Sequence, residues 1–341
     1  MTMREGAAIT TLLAALAIAF PAHAVMPVHA APPAHAALLQ RIADVPLPGS
    51  ATRFDYQSLD TTANRLYIAH LGAGELVVFD VAARKVLGTV TDLPGVTGIC
   101  VVRALGKMYV SVPGYHHVAI IDLHTLSVVA RTGNVGFPDG IAYAANVKKL
   151  YVSDESAGDE CVIDGLRDRA MTTIAVGGQA GNSVYDPHTG NVLVAVQTAN
   201  KVVEIDPRTD SVVNRHAIAG SDHPHGMAID AAHRLLFVAS ENNAALHTID
   251  LRNWHVVDQL KVGDKPDVLA FDPGWQRLYV GCESGSVSVF TVRGGHLAAE
   301  GQITLPHAHT VAVDPRTHHV YVPLQKVGTK PVLRIMSARR P

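Results

Sequence analysis

The histidines best placed for chemistry lie in two similar stretches of the chain, AGSDHPHGMAID and TLPHAHTVAVD. Each stretch holds two histidines two residues apart, His223 with His225 in the first and His307 with His309 in the second. Imidazole nitrogens are common ligands of zinc, copper and related divalent ions. The pattern is therefore open to two interpretations: a repeated metal-binding turn, or a turn that recurs only because the chain itself repeats.

The chain contains seven copies of one short segment, which reads RLYIAH, KMYVSV and KLYVSD in the first three. Aligned on its aromatic residue or the replacement for it, the segment recurs every 42 or 44 residues, at Tyr67, Tyr109, Tyr151, Leu193, Phe237, Tyr279 and Tyr321. Within each unit, turns such as DPHTGN separate short runs rich in β-branched residues, which is typical of strands joined by tight turns. Repeated units of roughly 40 residues with four short antiparallel strands predict an all-β, seven-bladed β-propeller.

The seventh unit ends before its outer strand. The sequence LLQRIADVPLPG at 38–49 resembles the fourth strand of the other units. We therefore predict that the N-terminal strand completes the C-terminal blade and that residues 38–341 form one domain. Such closure removes two strand edges that would otherwise be open to aggregation.

The first residues of the chain have the features of an export signal. Arg4 is followed by the apolar run AAITTLLAALAIAF and by PAHA, which ends at Ala24. We predict a signal peptide over 1–24, with a second candidate cleavage site after Ala30, and a Pro/Ala-rich leader over 25–37. The protein is then expected in the periplasm or outside the cell. No later stretch is apolar for long enough to span a membrane.

The composition argues against a nucleic-acid partner and against a disulfide-stabilised fold. The formal net charge is −2, with both signs dispersed along the chain, so a nucleic-acid partner is not expected. The three cysteines, Cys100, Cys161 and Cys282, are too few and too far apart for a disulfide framework. We expect a monomer that binds a small molecule or a protein partner.

One register at the start of each unit carries the candidate metal ligands. Twelve positions before the seven anchors lie, in order, Asp55, Thr97, Asp139, Gly181, His225, Asp267 and His309. In a propeller these positions converge at the mouth of the central channel. Two imidazoles and a carboxylate suit a divalent transition metal, so we predict that the three ligands from consecutive units hold an ion such as zinc or copper.

Other residues around the same mouth are candidates for binding a ligand. The loop after the repeated segment contributes Glu241 and Glu283 at one register and His70 one position earlier. The complete set of predicted ligand-binding residues is Asp55, His70, Asp139, His223, Glu241, Glu283 and His307. Two alternatives stay open: a ligand site without metal, and a polar lining that holds only water.

The repeats also resemble a known family. The pattern LYV[AS]…V.VID…T..V, preceded by a P-x-G-h-A turn, is similar to the YVTN-repeat propellers, as in the exported YncE-like proteins, over nearly all of 38–341. The resemblance implies the seven-bladed fold and an exported protein. Related seven-bladed propellers include lactonases, lyases, dehydrogenase subunits and scaffolds, so the resemblance does not select one activity.

Three functions are compatible with these residues. The first is a binding module whose His- and Asp-lined channel mouth holds a small ligand, a metal ion or a loop of a partner. The second is a metal-assisted enzyme of the lactonase or lyase type, with Glu241 or Glu283 as general base. The third is a scaffold subunit of an envelope or redox complex.

Overall fold

The computed structural model describes residues 38–340. These residues form seven four-stranded antiparallel sheets arranged as the blades of a ring, so the predicted fold is confirmed. The predicted signal peptide and the predicted leader lie outside the described residues. Between residues 38 and 340 the only helical segments are four three-residue 3-10 turns, Leu71–Ala73, Arg103–Leu105, Pro113–Tyr115 and Gln197–Ala199.

Each of the first six blades takes its four strands from consecutive sequence, and the innermost strand comes first. Blade 1 comprises β2 (Gln57–Asp60), β3 (Arg65–His70), β4 (Glu75–Asp80) and β5 (Lys85–Val90). Blade 2 comprises β6 (Ile99–Val102), β7 (Lys107–Val112), β8 (His117–Asp122) and β9 (Val128–Thr132). Blade 3 comprises β10 (Pro138–Ala144), β11 (Lys149–Asp154), β12 (Asp159–Asp164) and β13 (Arg169–Ala175). Blade 4 comprises β14 (Ala180–Tyr185), β15 (Val192–Val196), β16 (Lys201–Asp206) and β17 (Ser211–Ala217). Blade 5 comprises β18 (Pro224–Asp230), β19 (Leu235–Ser240), β20 (Ala245–Asp250) and β21 (His255–Lys261). Blade 6 comprises β22 (Pro266–Asp272), β23 (Arg277–Cys282), β24 (Ser286–Arg293) and β25 (His296–Thr304).

Blade 7 joins the two ends of the chain. It is built from β26 (Ala312–Val313), β27 (His319–Val327), β28 (Lys330–Ala338) and, on the outside, β1 (Leu39–Pro46). Arg334 on β28 donates two hydrogen bonds to Asp44 on β1, at 2.8 and 2.7 Å. The innermost strands contact their neighbours around the ring, and the last contact is between β26 and β2.

The turns between strands follow from the aspartates that the sequence repeats. In blade 1 the Asp80 carboxylate accepts hydrogen bonds from the main-chain N–H groups of Ala82 and Ala83, at 2.9 and 2.8 Å. Asp122 does the same for His124 and Thr125 in blade 2. Because a short carboxylate satisfies the main-chain donors of the turn, it fixes the reversal between adjacent strands.

The hydrophobic core lies between the blades. The repeated aromatic residue is almost fully buried wherever it is a tyrosine. One core cluster, for example, unites Tyr67 and Val78 of blade 1 with Val110 and Ile121 of blade 2. Burying a side chain of this kind contributes roughly 1.5–3 kcal/mol, so each interface between blades holds the ring together without any ligand.

Candidate functional site

Five polar side chains, each from a different blade, meet at one end of the central channel. Asp139, His225 and Asp267 lie at the second position of β10, β18 and β22, while Asp55 and His309 lie just before β2 and β26. All five are buried, with exposed fractions between 4% and 7%. We call these five residues the mouth cluster.

Local breaks in the strands aim the ligand-bearing residues at the channel. The pairing of β18 with β19 shifts between Pro224 and Met227, and that of β22 with β23 shifts between Pro266 and Leu269. Bulges of this kind change the direction of a side chain. The glycine after His225 is also required, because a Cβ at Gly226 would overlap the main-chain oxygen of Asp267.

Asp267 is the centre of the mouth cluster. Its Oδ1 lies 2.8 Å from Nδ1 of His225, and its Oδ2 lies 2.7 Å from Nε2 of His309. One carboxylate thus contacts the imidazoles of both neighbouring blades, one through each oxygen.

Two further aspartates contact the histidines. Nε2 of His225 is 3.4 Å from Oδ2 of Asp139, and Nε2 of His309 is 3.5 Å from Oδ1 of Asp55. Tyr56 donates a hydrogen bond of 3.0 Å to Oδ2 of Asp139. Each imidazole is therefore surrounded by carboxylates, which also fix its orientation.

The two predicted general bases reach the mouth cluster from the loops above it. Oε1 of Glu241 is 3.5 Å from Nδ1 of His225, and Oε1 of Glu283 is 3.5 Å from Nδ1 of His309. The main-chain N–H of Glu241 donates to the carbonyl of His223 at 3.0 Å, which attaches that loop to the entry of β18.

Arg53 also reaches the mouth cluster, although it is not among the site residues predicted from the sequence. Its Nη2 is 2.9 Å from Nε2 of His309, and its Nη1 is 3.0 Å from Oε1 of Glu283. Arg53 precedes Asp55 by two positions, which is the register of His223, Lys265 and His307 in the last three units. The side chain at this register changes from unit to unit, so the repeat itself does not single out Arg53.

Burial and charge act in opposite directions on the ionisable groups. Burial is the largest single effect and lowers the pKa of each histidine. The charges and hydrogen bonds of Asp267, Asp139 and Asp55 together outweigh it, and they raise the pKa of His225 well above 6.5 and that of His309 to about 10. For Asp267 burial raises the pKa, and the two histidines reverse this and hold it well below 3.8. Burial raises the pKa of Glu241. The carboxylates thus favour protonated imidazoles when no other cation is present.

The ligand atoms form two groups that are compact enough to hold an ion. Among residues 38–340, the atoms of Asp55, Asp267 and His309 lie within 4.8 Å of one another, and so do those of His225, Glu241 and Asp267. The two predicted histidine ligands fall into different groups, and Asp267 belongs to both. Carboxylate oxygens and imidazole nitrogens are suitable donors for zinc and related ions.

The remaining predicted ligand-binding residues make other contacts. His70 is fully buried in blade 1, where its ring stacks on Phe54 with 4.0 Å between the ring centroids. Its Nε2 lies 3.1 Å from Oγ1 of Thr52. His223 and His307 adopt left-handed conformations, with φ of 62° and 65°. In both His-x-His stretches the first histidine therefore forms the turn, and the second belongs to the mouth cluster.

The channel continues from the mouth cluster along the innermost strands as a cavity of about 290 Å³. Tyr56 contacts both the cavity and Asp139. The cavity wall combines apolar residues such as Ile141 and Phe271 with the polar Gln57 and Asn182. Tyr56 thus lies between the mouth cluster and the interior of the ring.

Comparison with known proteins identifies the fold and leaves the family open. No protein-family model matches the chain. Antigen Lp49 of Leptospira interrogans is 22% identical over 223 residues, which cover 64% of this chain but only 40% of that protein.

Two solved structures share the architecture. A chain of hydrazine synthase from Kuenenia stuttgartiensis has a TM-score of 0.72 at 15% identity and covers 88% of this chain and 98% of its own. The β-propeller domain of Cps50 (Swd1) from Myceliophteria thermophila has a TM-score of 0.73 at 12% identity and covers 88% of this chain and 100% of its own. At these identities the likeness is one of fold alone.

Proposed function

We propose that the protein is a β-propeller binding module that holds a divalent transition metal ion at the channel mouth. The observation that carries the proposal is the position of Asp267, whose two oxygens contact His225 and His309 inside a buried cluster. Buried carboxylates and imidazoles held this close together are a suitable donor set for zinc or copper once the imidazoles lose their protons.

The charges of the mouth cluster support a divalent ion. Five carboxylates lie within 3.5 Å of the two imidazoles, those of Asp55, Asp139, Glu241, Asp267 and Glu283. A histidine that binds metal must be a neutral imidazole, so a divalent ion beside it would take over the positive charge that the proton supplies in the metal-free protein. The electrostatic environment that favours protonated histidines in the metal-free protein therefore favours a divalent cation as well.

Metal uptake by protein without a histidine tag tests the proposal. Equilibrium dialysis against zinc, copper, nickel, calcium and magnesium, followed by elemental analysis, should show stoichiometric uptake of a transition metal. His225→Ala should weaken binding at least 100-fold, because the imidazole is a direct ligand. His233→Ala is the matched control, since His233 forms a similar pair with Asp230, at 2.8 Å, outside the mouth cluster. Absence of uptake by the unmodified protein would contradict the proposal.

A metal-assisted hydrolase or lyase is the second candidate, and Glu241 favours it. Glu283 is paired with Arg53 at 3.0 Å, whereas the Glu241 carboxylate forms no ion pair with a lysine or arginine of the described residues. A carboxylate with a raised pKa beside a metal ion is suited to accept a proton from water. A screen of cyclic esters should then show turnover that Glu241→Gln abolishes even at zinc concentrations that saturate the variant, because Glu241 is also a candidate ligand of the ion. Equal activity of the two proteins would exclude this role.

We further propose an exported protein, on the basis of the signal-like sequence at 1–24. A periplasmic or extracellular location would give the mouth cluster access to metal ions outside the cytoplasm. Cell fractionation with an antibody against the propeller checks the location. Recovery of the full-length chain in the cytoplasm only would contradict it.

A further inference from the structure

We infer that Arg53 acts as a built-in cation that occupies the His309 side of the mouth cluster, so that the protein binds one ion, on the His225 side. The inference rests on the proposed metal-binding function and specifies its stoichiometry. It concerns a residue outside both groups of candidate ligands.

The two sides of the mouth cluster are alike in their donors. On one side, Asp267 Oδ1 and Glu241 Oε1 lie 2.8 and 3.5 Å from Nδ1 of His225. On the other, Asp267 Oδ2 and Asp55 Oδ1 lie 2.7 and 3.5 Å from Nε2 of His309. Donor chemistry alone would therefore allow an ion on each side, bridged by Asp267.

The sides differ in the cation that is already present. The Arg53 guanidinium lies 2.9 Å from Nε2 of His309, which is the nitrogen that faces Asp267 and Asp55. Within residues 38–340, no lysine or arginine forms an ion pair with the donors on the His225 side. A guanidinium is always charged and only donates hydrogen bonds, so it opposes a metal ion at that nitrogen by charge and by the space it occupies.

A second contact holds Arg53 in this position. Its Nη1 pairs with Oε1 of Glu283 at 3.0 Å, and that carboxylate lies 3.5 Å from Nδ1 of His309. The Arg53 side chain is nevertheless 46% exposed. Its replacement should therefore leave the blade core intact and change chiefly the charge beside His309.

The register of Arg53 provides a matched control on blade 6. Lys265 occupies the equivalent position and lies 3.8 Å from Oε2 of the same Glu283. Its side chain is 70% exposed, and the described contacts of Lys265 include neither histidine of the mouth cluster. Removal of Lys265 subtracts one positive charge from the mouth without opening the His309 side.

Zinc counting on purified protein without a tag tests the inference. Equilibrium dialysis with elemental analysis should give one zinc per chain for the unmodified protein and for Lys265→Ala, and two for Arg53→Ala. Arg53→Lys, which keeps the charge, should stay at one. The double variant Arg53→Ala, His309→Ala should return to one, because the second ion is expected to need His309.

The outcomes separate this inference from the proposed function. One zinc in both the unmodified protein and Arg53→Ala would overturn the role of Arg53 and leave the metal site standing. Two zinc ions in the unmodified protein would overturn it as well. No zinc in any of the proteins would instead contradict the proposed function, and the inference with it.

Discussion

At the scale of single residues, Asp267 shows how burial and pairing set protonation together. Burial alone would raise the pKa of Asp267 and lower that of His309. Because the two groups lie 2.7 Å apart inside the protein, each stabilises the charged form of the other, and both pKa values move in the opposite direction. The same interaction makes the metal-free mouth cluster sensitive to alkaline pH.

The stability of the metal-free protein should fall between about pH 6.5 and pH 10. The pKa of His309 is raised from 6.5 to about 10 in the folded protein. Its stabilising contribution is then complete below pH 6.5 and is lost as the pH rises toward 10. The lowered pKa of Asp267 adds stability at every pH above the pKa of an unfolded aspartate. This contribution therefore stays constant between pH 6.5 and pH 10. Since one pKa unit corresponds to about 1.4 kcal/mol, a loss of a few kcal/mol is expected in urea denaturation with chelator.

A histidine variant isolates this effect. His309→Gln should have a flatter pH profile, whereas the control His233→Ala should keep the profile of the unmodified protein. Burial raises the pKa of Glu160 to about 8, and its ionisation also lowers stability over part of this range. That contribution is common to all three proteins and cancels in the comparison. Identical slopes for His309→Gln and the unmodified protein would contradict the prediction.

At the scale of elements, the repeat carries a clamp between adjacent blades. Tyr109 and Lys107 of blade 2 both contact the Asp168 carboxylate of blade 3, at 2.8 and 2.5 Å. The contact recurs one unit later, where Tyr151 and Lys149 of blade 3 contact Asp210 of blade 4, at 2.5 and 2.7 Å. The repeat that places the candidate ligands at the mouth thus also ties neighbouring blades together, through its anchor tyrosine.

Removal of the anchor tyrosine hydroxyl should destabilise the protein only where that hydroxyl contacts an aspartate of the next blade. Tyr151→Phe should cost about 1–2 kcal/mol, because Asp210 loses a hydrogen bond to a charged acceptor. The Tyr67 hydroxyl, at the same register, has no hydrogen-bond partner among residues 38–340, so Tyr67→Phe should change stability by less than about 0.5 kcal/mol. Chemical denaturation of both variants measures the difference, and equal losses would mean that the clamp does not contribute.

At the scale of the whole molecule, the periodicity of the sequence was sufficient to predict the ring. Seven units of nearly constant length require the same turns and the same buried aromatic position, and the unit that lacks an outer strand receives β1. The sequence also identified the register that converges at the mouth. It could not identify the contacts that Asp267 makes with both histidines, because these depend on side-chain directions where the pairing of β18 and β22 shifts.

The contacts of His70 and Arg53 do not repeat from blade to blade. His70 lies one position before the register of Glu241 and Glu283, and a ring stack on Phe54 holds it inside blade 1. Arg53 comes from the segment between β1 and β2, where the chain passes from blade 7 to blade 1. The side chains at its register differ from unit to unit, so a repeat alignment gives no reason to select one of them.

Ring closure makes the fold independent of the ion, and chelation tests this at the scale of the molecule. The apolar interfaces continue around the whole ring, and blade 7 is sealed by Arg334 and Asp44, so no element depends on metal for its core. Saturation at 100 times the dissociation constant stabilises a protein by about 2.7 kcal/mol, which corresponds to a shift in melting temperature below about 10 °C for a chain of this size. Differential scanning calorimetry should therefore show a modest decrease when EDTA is added to zinc-loaded protein and none for His225→Ala. Complete unfolding by EDTA would instead mean that the ion is an integral part of the ring.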